Sequence, residues 1–203
     1  MQDKRHARLI PGNTEGKKIT ASATSNFDDR DAAIDIFAMA RQRLTDINNW
    51  HKIAGSAGAV FQLTDMNGTE VFRAAEKGDH IRIDIPGPGS KAGEGYDWVR
   101  IEEVETIGTD DVDGIAIKVR PASNPNTDDT NIAHFYAEQS TSTFVIIREN
   151  NQVTASIYDR NIEANEKTKQ PVDKMRNALV GLGAKHGFSK LQWQALAEGL
   201  LQR

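Results

Sequence analysis

The stretch from residue 81 to residue 101 reads IRIDIPGPGSKAGEGYDWVRI. Apolar and polar residues alternate through Ile81–Ile85, as they do in a strand with one buried face. A glycine-rich segment follows, and Trp98–Ile101 begins a second strand. Two strands joined without a helix between them are typical of an antiparallel sheet. Long loops on a rigid scaffold often carry function, so we expect Gly87–Trp98 to lie at the rim of a cavity and act as its gate.

The same two-residue period appears in segments on both sides of this stretch. Asn67-Gly68 lies between two apolar runs and predicts a tight hairpin, and the alternation breaks at Glu102-Glu103, which predicts a bulge. We count seven to nine strands, including these segments: Lys17–Asn26, Val60–Leu63, Val71–Phe72, Ile115–Val119, Ile132–Tyr136, Phe144–Ile147 and Val153–Ile157.

Helical periods occupy the two ends of the chain. Asp28 or Asp29 can cap a first helix, whose apolar stripe recurs at three- and four-residue steps through Ile34, Phe37, Ala40, Leu44 and Ile47. Near the C-terminus, a stripe from Val172 to Leu182 predicts a helix that Gly183 and Gly187 end. Ser189 with Gln192 then resembles a capping box that starts another helix.

These elements predict an α+β fold. An antiparallel sheet of seven to nine strands has a helix after its first strand, and C-terminal helices pack on the sheet. Residues 1–16 show no period and are expected to be a poorly ordered lead-in. Residues 17–203 are expected to form a single domain.

Composition limits the classes of function. The chain of 203 residues has a net charge of −4, with both signs mixed along it, which argues against a nucleic-acid partner. It has no cysteine, which excludes disulfides and thiolate chemistry. No apolar run is long enough to cross a membrane, and the N-terminus lacks the apolar run of a signal peptide. We therefore expect a soluble cytoplasmic protein without a membrane partner.

No motif predicts a catalytic site, a metal site or a cofactor. Gly87, Gly89 and Ala92 match the spacing of a dinucleotide-binding loop, but a strand rather than a helix follows them. The acidic turn ending at Gly114 lacks the last carboxylate of a calcium loop. The histidines have no ligand spacing.

The candidate ligand-binding residues are polar or aromatic side chains near predicted strand ends. Tyr96 and Trp98 flank the glycine-rich loop, and its backbone amides could bind an anion. Each side chain also has a purely structural interpretation, as core packing, capping or a solvated surface. The predicted set is Lys91, Tyr96, Trp98, His134, Tyr136 and Arg160.

Residues Ala21–Asp65 carry a strand ending at Asn26-Phe27, a helix through Phe37 and Leu44, Trp50, and the strand Val60–Leu63. This order, with the later sheet and the C-terminal helix, resembles the helix-grip fold of the START/Bet v 1-like (SRPBCC) superfamily. The resemblance implies a cavity between sheet and last helix that holds a small hydrophobic ligand.

Two alternatives to ligand binding stay open from the sequence. One is a non-enzymatic structural or adaptor protein that engages another protein or forms a homo-oligomer. The other is a cyclase- or hydrolase-like enzyme that uses His134 with a nearby carboxylate, although the absence of a catalytic motif favours a protein that is not an enzyme.

Overall fold

The computed structural model describes residues 10–55, 58–86, 89–109, 111–165 and 184–203. Its centre is one antiparallel sheet with strand order β1-β7-β6-β5-β4-β3-β2. The first strand therefore pairs with the last, and from the second strand onward each strand pairs with the next one in sequence. The seven strands are β1 (Lys17–Asn26), β2 (Val60–Thr64), β3 (His80–Asp84), β4 (Asp97–Gly108), β5 (Val112–Pro121), β6 (Thr141–Glu149) and β7 (Gln152–Ile162).

Helices precede and follow the run β2–β7. Between β1 and β2 lie α1 (Arg30–Thr45), a 3-10 turn (Ile47–Asn49) and the short α2 (Trp50–Ile53), and α3 (Ala184–Leu201) comes last. The predicted α+β architecture is confirmed, with the strand count at the lower end of the expected range. Asp29 caps α1 as its position predicts, because its side chain accepts a hydrogen bond of 2.7 Å from the amide of Ala32.

One face of the sheet, here called the inward face, packs against α1 and α3. Every second residue of a strand points to this face. In β7 these residues are Val153, Ala155 and Ile157, which are all fully buried. Leu196 and Leu200 of α3 belong to the same core. Burial of large aliphatic side chains, each of which contributes roughly 2 kcal/mol, is what holds sheet and helices together.

The C-terminal end of α3 is held closely. The Arg43 guanidinium of α1 donates to the carbonyl oxygen of Gly199 at 3.1 Å and also to that of Gln202. Gly199 lies so near α2 that a Cβ atom there would be 2.3 Å from the carbonyl oxygen of Ile53. No larger residue fits without displacing backbone, so this end of the helix is fixed in place.

Two predicted strands are not strands in the structure. Residues 132–136 are irregular, and only Tyr136 makes an isolated bridge, to Ala164. The turn at Asn67-Gly68 forms, with Gly68 at φ +82°, but Phe72 beyond it is 81% exposed and unpaired in the sheet. Among the described residues, each segment makes only a single backbone hydrogen bond to a strand, from Val71 to Leu63 of β2 at 3.0 Å and from Trp98 of β4 to Ala133 at 2.7 Å, so no continuous ladder forms.

Details of the helices also differ from expectation. Ile34 is 38% exposed, and Ile36 takes its place in the core. Gly187 and Ser189 lie inside α3, so neither ends nor starts a helix. The predicted stripe from Val172 to Leu182 falls outside the described residues. The bulge in β4 is confirmed by a register shift between Ile101 and Glu103.

Candidate functional site: a cavity under the last helix

A cavity of about 60 Å³ lies between the inward face of the sheet and the first half of α3. Most of its wall is apolar. The aliphatic part comes from β3, β4, β5 and the ends of two loops, and consists of Ala59, Ile81, Ile83, Ile85, Val99 and Val119. The aromatic part comes from α2, β2, β6, α3 and the irregular segment before β6, and consists of Trp50, Phe61, Phe135, Phe144 and Trp193.

The aromatic rings form one connected group. The ring centroids of Trp50 and Phe144 are 4.6 Å apart, and the Phe144 ring meets Trp193 edge to face at 5.2 Å. Phe61 lies 5.5 Å from Trp50. Such contacts add about 1 kcal/mol each beyond area burial, and they join the sheet, α2 and α3 around the cavity.

Few polar groups reach this wall. They are His134, Tyr136, Ser142, Asp159, Ser189 and Gln192. Among the described residues of the wall there is no lysine or arginine. An apolar cavity with a small number of placed polar groups is the usual composition of a small-molecule site.

Asp159 is the most unusual of these groups. It follows Ile157 on the inward face of β7, and only 2% of it is exposed. The indole nitrogen of Trp193 donates to its Oδ2 atom at 2.9 Å. Its Oδ1 atom has no hydrogen-bond partner among the residues that the structure describes. A buried carboxylate oxygen without a donor is costly to keep.

Burial raises the pKa of Asp159 to about 6. The nearby Ser142 hydroxyl, the Trp193 N–H and the positive charge of Arg160 all act in the opposite direction, and burial outweighs them. Near neutral pH the group is therefore mostly ionised, yet it lies where a charge is poorly solvated.

Tyr136 and His134 come from the irregular segment that crosses the edge of the cavity. The Nδ1 atom of His134 accepts the backbone N–H of Tyr136 at 2.9 Å. The Tyr136 hydroxyl bonds with Ser189 of α3. Burial, with the negative charge of Asp159, raises the pKa of Tyr136, so its hydroxyl stays protonated and able to donate.

The structure brings His134 and Tyr136 together in the cavity wall and places the other predicted residues elsewhere. Lys91 is exposed on the loop. The guanidinium of Arg82 lies over the ring of Tyr96, with its central carbon 4.7 Å from the ring centroid. Trp98 is 1% exposed and packs beneath the loop, with its indole N–H on the Gly93 carbonyl at 3.3 Å.

Arg160 lies outside the wall as well. Its guanidinium donates to the carbonyl oxygens of Ile19 and Asp159 at 2.9 and 2.8 Å, and it lies over the ring of Tyr158. It therefore ties β1 to β7. The described part of the glycine-rich loop, residues 89–96, does not line the cavity either.

The sequence carried a signal for Asp159 that was missed. In β7, positions 153, 155 and 157 are apolar, and the next position of the same parity is an aspartate. An acidic residue at an inward position of an alternating strand is expected to be buried. The predicted set contains Arg160, the next residue in the chain, instead of Asp159.

The cavity is small in this conformation. Its volume is about 60 Å³, which is room for a few water molecules, whereas sites for drug-sized ligands span roughly 300–1,000 Å³. A ligand larger than a fragment needs the wall to move.

Within the described ranges, no three histidine, aspartate or glutamate side chains come together in a way that would hold a metal ion. Of the helices that the structure describes, none has the length and apolar character required to span a membrane.

Comparison with known proteins gives similarity at the level of fold. No family model matches the sequence, and no curated protein does. Among solved structures, a hypothetical protein from Helicobacter pylori is 13% identical with a TM-score of 0.53, over 96% of this chain and 91% of that one. A START superfamily protein from Mycobacterium smegmatis is 11% identical, with a TM-score of 0.41 over 91% and 97%. A truncated norcoclaurine synthase from Thalictrum flavum is 8% identical, with a TM-score of 0.40 over 95% and 99%.

The likeness is one of fold. The order of a first strand, helices, an antiparallel run of strands and a last helix confirms the predicted resemblance to the helix-grip fold of START/Bet v 1-like proteins. At these identities the comparison says nothing about residues of the site.

Proposed function

We propose that the protein binds a small, largely apolar ligand in the cavity between the sheet and α3. The observation that carries this proposal is the wall itself, where connected aromatic rings and aliphatic side chains surround an unfilled space. Protein cores are packed to the density of organic crystals. A void lined by large side chains therefore forfeits contact energy, which a ligand would restore.

The ligand enters under the first half of α3. The far end of that helix is fixed by Arg43 and by the close approach of Gly199 to Ile53. The near end covers the cavity through Ser189, Gln192 and Trp193. A tilt of this first half about the fixed far end would widen the cavity, and it would break contacts such as the Trp193–Asp159 hydrogen bond.

A ligand screen tests this proposal. Purified protein is heated with a panel of small aromatic and aliphatic compounds, and unfolding is followed by intrinsic tryptophan fluorescence. A ligand present at about 100 times its Kd stabilises the folded state by about 2.7 kcal/mol, which is a clear rise in melting temperature. Trp50 and Trp193 are in the wall, so their emission should also change on binding.

A filled cavity provides the matched control. Ala59 lines the cavity, and Ala59→Leu places extra carbon atoms inside it. The neighbouring Val60 is 48% exposed, and Val60→Leu leaves the cavity unchanged. We expect ligands that stabilise the unaltered protein to stabilise the Val60→Leu variant and not the Ala59→Leu variant. Equal responses from both variants would place binding elsewhere, and no response across the panel would reject the proposal.

Proton transfer to a bound substrate is the second candidate function. One observation favours it: a carboxyl group with a pKa of about 6 shares an apolar wall with His134 and Tyr136. The same screen tests it, because mass spectrometry of each bound compound after prolonged incubation shows whether it has been converted. Compounds recovered unchanged in every case would leave binding as the function.

A further inference from the structure

The buried carboxylate of Asp159 lacks a partner on one oxygen. Trp193 satisfies Oδ2, while Oδ1 receives no hydrogen bond from the described residues. Asp159 is 2% exposed and lines the cavity, so the space next to its carboxylate is the cavity itself. A buried acceptor in a binding cavity indicates that the ligand brings a donor to it.

The charge of that donor follows from the surroundings. Arg160 is the next residue in β7, but its guanidinium is engaged by carbonyl oxygens of Ile19 and Asp159 and by the Thr20 hydroxyl. It makes no ion pair with the Asp159 carboxylate. No lysine or arginine lines the part of the wall that the structure describes. Among these residues Asp159 has no cationic partner, and a ligand can bring one.

The energetics favour a cation over a neutral donor. Removing a carboxylate from water is the expensive part of forming a buried ion pair. Folding has already buried Asp159, so a binding cation gives up only its own hydration. Hydrogen bonds to charged groups contribute more than hydrogen bonds between neutral groups.

The rings next to the carboxylate suit a cation too. Trp193 joins Asp159 through its indole N–H, and its ring packs against Phe144, which packs against Trp50. The faces of tryptophan and phenylalanine rings attract ammonium groups in desolvated sites. The same rings bury an aromatic or alkyl body.

We propose that the ligand is a hydrophobic amine, whose protonated nitrogen pairs with Asp159 while its apolar body packs among the rings of the cavity. This inference rests on the proposed function, since it names the chemical class that the same cavity takes.

Three compounds of nearly equal shape test the inference: benzylamine, benzyl alcohol and toluene. Near neutral pH the amine is protonated, the alcohol is a neutral donor, and the hydrocarbon has no donor. Their affinities for the full chain are measured by isothermal titration calorimetry. We expect benzylamine to bind about tenfold more tightly than benzyl alcohol, and the alcohol more tightly than toluene.

The Asp159→Asn variant keeps the shape of the side chain and removes its charge. We expect it to lose the preference for benzylamine, by about tenfold or more, while still binding toluene. Asp84→Asn, an exposed position on β3, is the control and should keep the preference. Thermal unfolding of both variants verifies that each is folded.

The outcomes separate the two proposals. If toluene and benzyl alcohol bind as well as benzylamine, the cavity binds ligands and the amine preference is refuted. If Asp159→Asn keeps the full preference for benzylamine, the amine is held by another group and the inference is refuted. If none of the three compounds binds at millimolar concentration, the inference is overturned; if the wider panel fails as well, the proposed function falls with it.

Discussion

Asp159→Asn should stabilise the protein at neutral pH and leave its stability unchanged in acid. The carboxyl pKa is raised from 3.8 to about 6 by burial. Below about pH 3 the group is protonated in both the folded and unfolded states and contributes nothing. As the pH rises, the unfolded chain releases the proton first. The folded state is therefore destabilised between the two values, and the loss reaches about 3 kcal/mol above pH 6.

The variant removes this titration. The free energy of unfolding of Asp159→Asn minus that of the unaltered protein should be near zero at about pH 3 and rise toward 3 kcal/mol by about pH 7.5. Urea unfolding at several pH values, followed by tryptophan fluorescence, measures both. Taking the difference cancels the other titrating groups. Arg160, His134 and Tyr136, with the Ser142 and Trp193 donors that face the carboxylate, are present in both proteins.

Asp84→Asn, at an exposed position, serves as the reference. Its difference from the unaltered protein should stay within about 0.5 kcal/mol at every pH. A difference for Asp159→Asn that does not change between acid and neutral pH would refute the argument. A variant less stable than the unaltered protein at neutral pH would refute it more directly, because it would show that the carboxylate is well solvated or paired.

Three substitutions test other contacts. Trp193→Phe removes the donor to Asp159 and should lower the free energy of unfolding by roughly 2 kcal/mol in urea titrations at neutral pH; an unchanged value would mean that this hydrogen bond is not formed. Gly199→Ala forces a methyl group against the carbonyl oxygen of Ile53 and should lower the melting temperature, with about 1–3 kcal/mol lost despite the better helix propensity of alanine. Arg148→Ala should lower the free energy of unfolding in urea by about 3 kcal/mol, because it removes the buried guanidinium that lies 2.6 Å from the carboxylate of Asp113 on β5. A loss under about 1 kcal/mol would contradict this.

The sheet was predictable because alternation reports directly on a face. Lys17–Asn26 alternates only weakly, yet it forms β1 along its whole predicted length. The break at Glu102-Glu103 marked the bulge of β4 because a bulge shifts the alternation by one residue. Patterns of this kind depend only on residues that are close in sequence, so they predict a strand or a bulge without knowledge of the rest of the chain.

Segments that depend on distant contacts were not predictable. His134, Phe135 and Tyr136 are all buried in succession, which no strand with one solvated face allows. They are held by bridges to loops and by rings stacked on one another, as in the 4.4 Å contact of His134 with Phe135. Likewise, Ser189 with Gln192 has the spacing of a capping box, but this spacing also occurs within helices, and here the helix begins earlier.

Part of the candidate site could be predicted from the sequence. His134 and Tyr136 were chosen for their residue types and do lie in the wall. Trp98 is in the predicted set because it lies beside the loop. Successive residues of β4 point to opposite faces of the sheet, so Val99 faces the cavity and Trp98 faces away from it. Applying the same parity to β7 gives Asp159, so strand register was more informative here than residue type alone.

The position of Asp159 has a consequence for ligand binding itself. An apolar residue there would complete the inward face of β7 and remove a cost of about 3 kcal/mol at neutral pH. Stability given up at one position of a cavity is typical of a functional group. A bound ammonium ion would recover part of that loss, and only while the carboxylate is ionised. The stabilisation by benzylamine should therefore be full above about pH 6 and fade below it, whereas the stabilisation by toluene should not follow this titration. Equal pH dependence for the two compounds would mean that Asp159 takes no part in binding, however strongly its own environment opposes its charge.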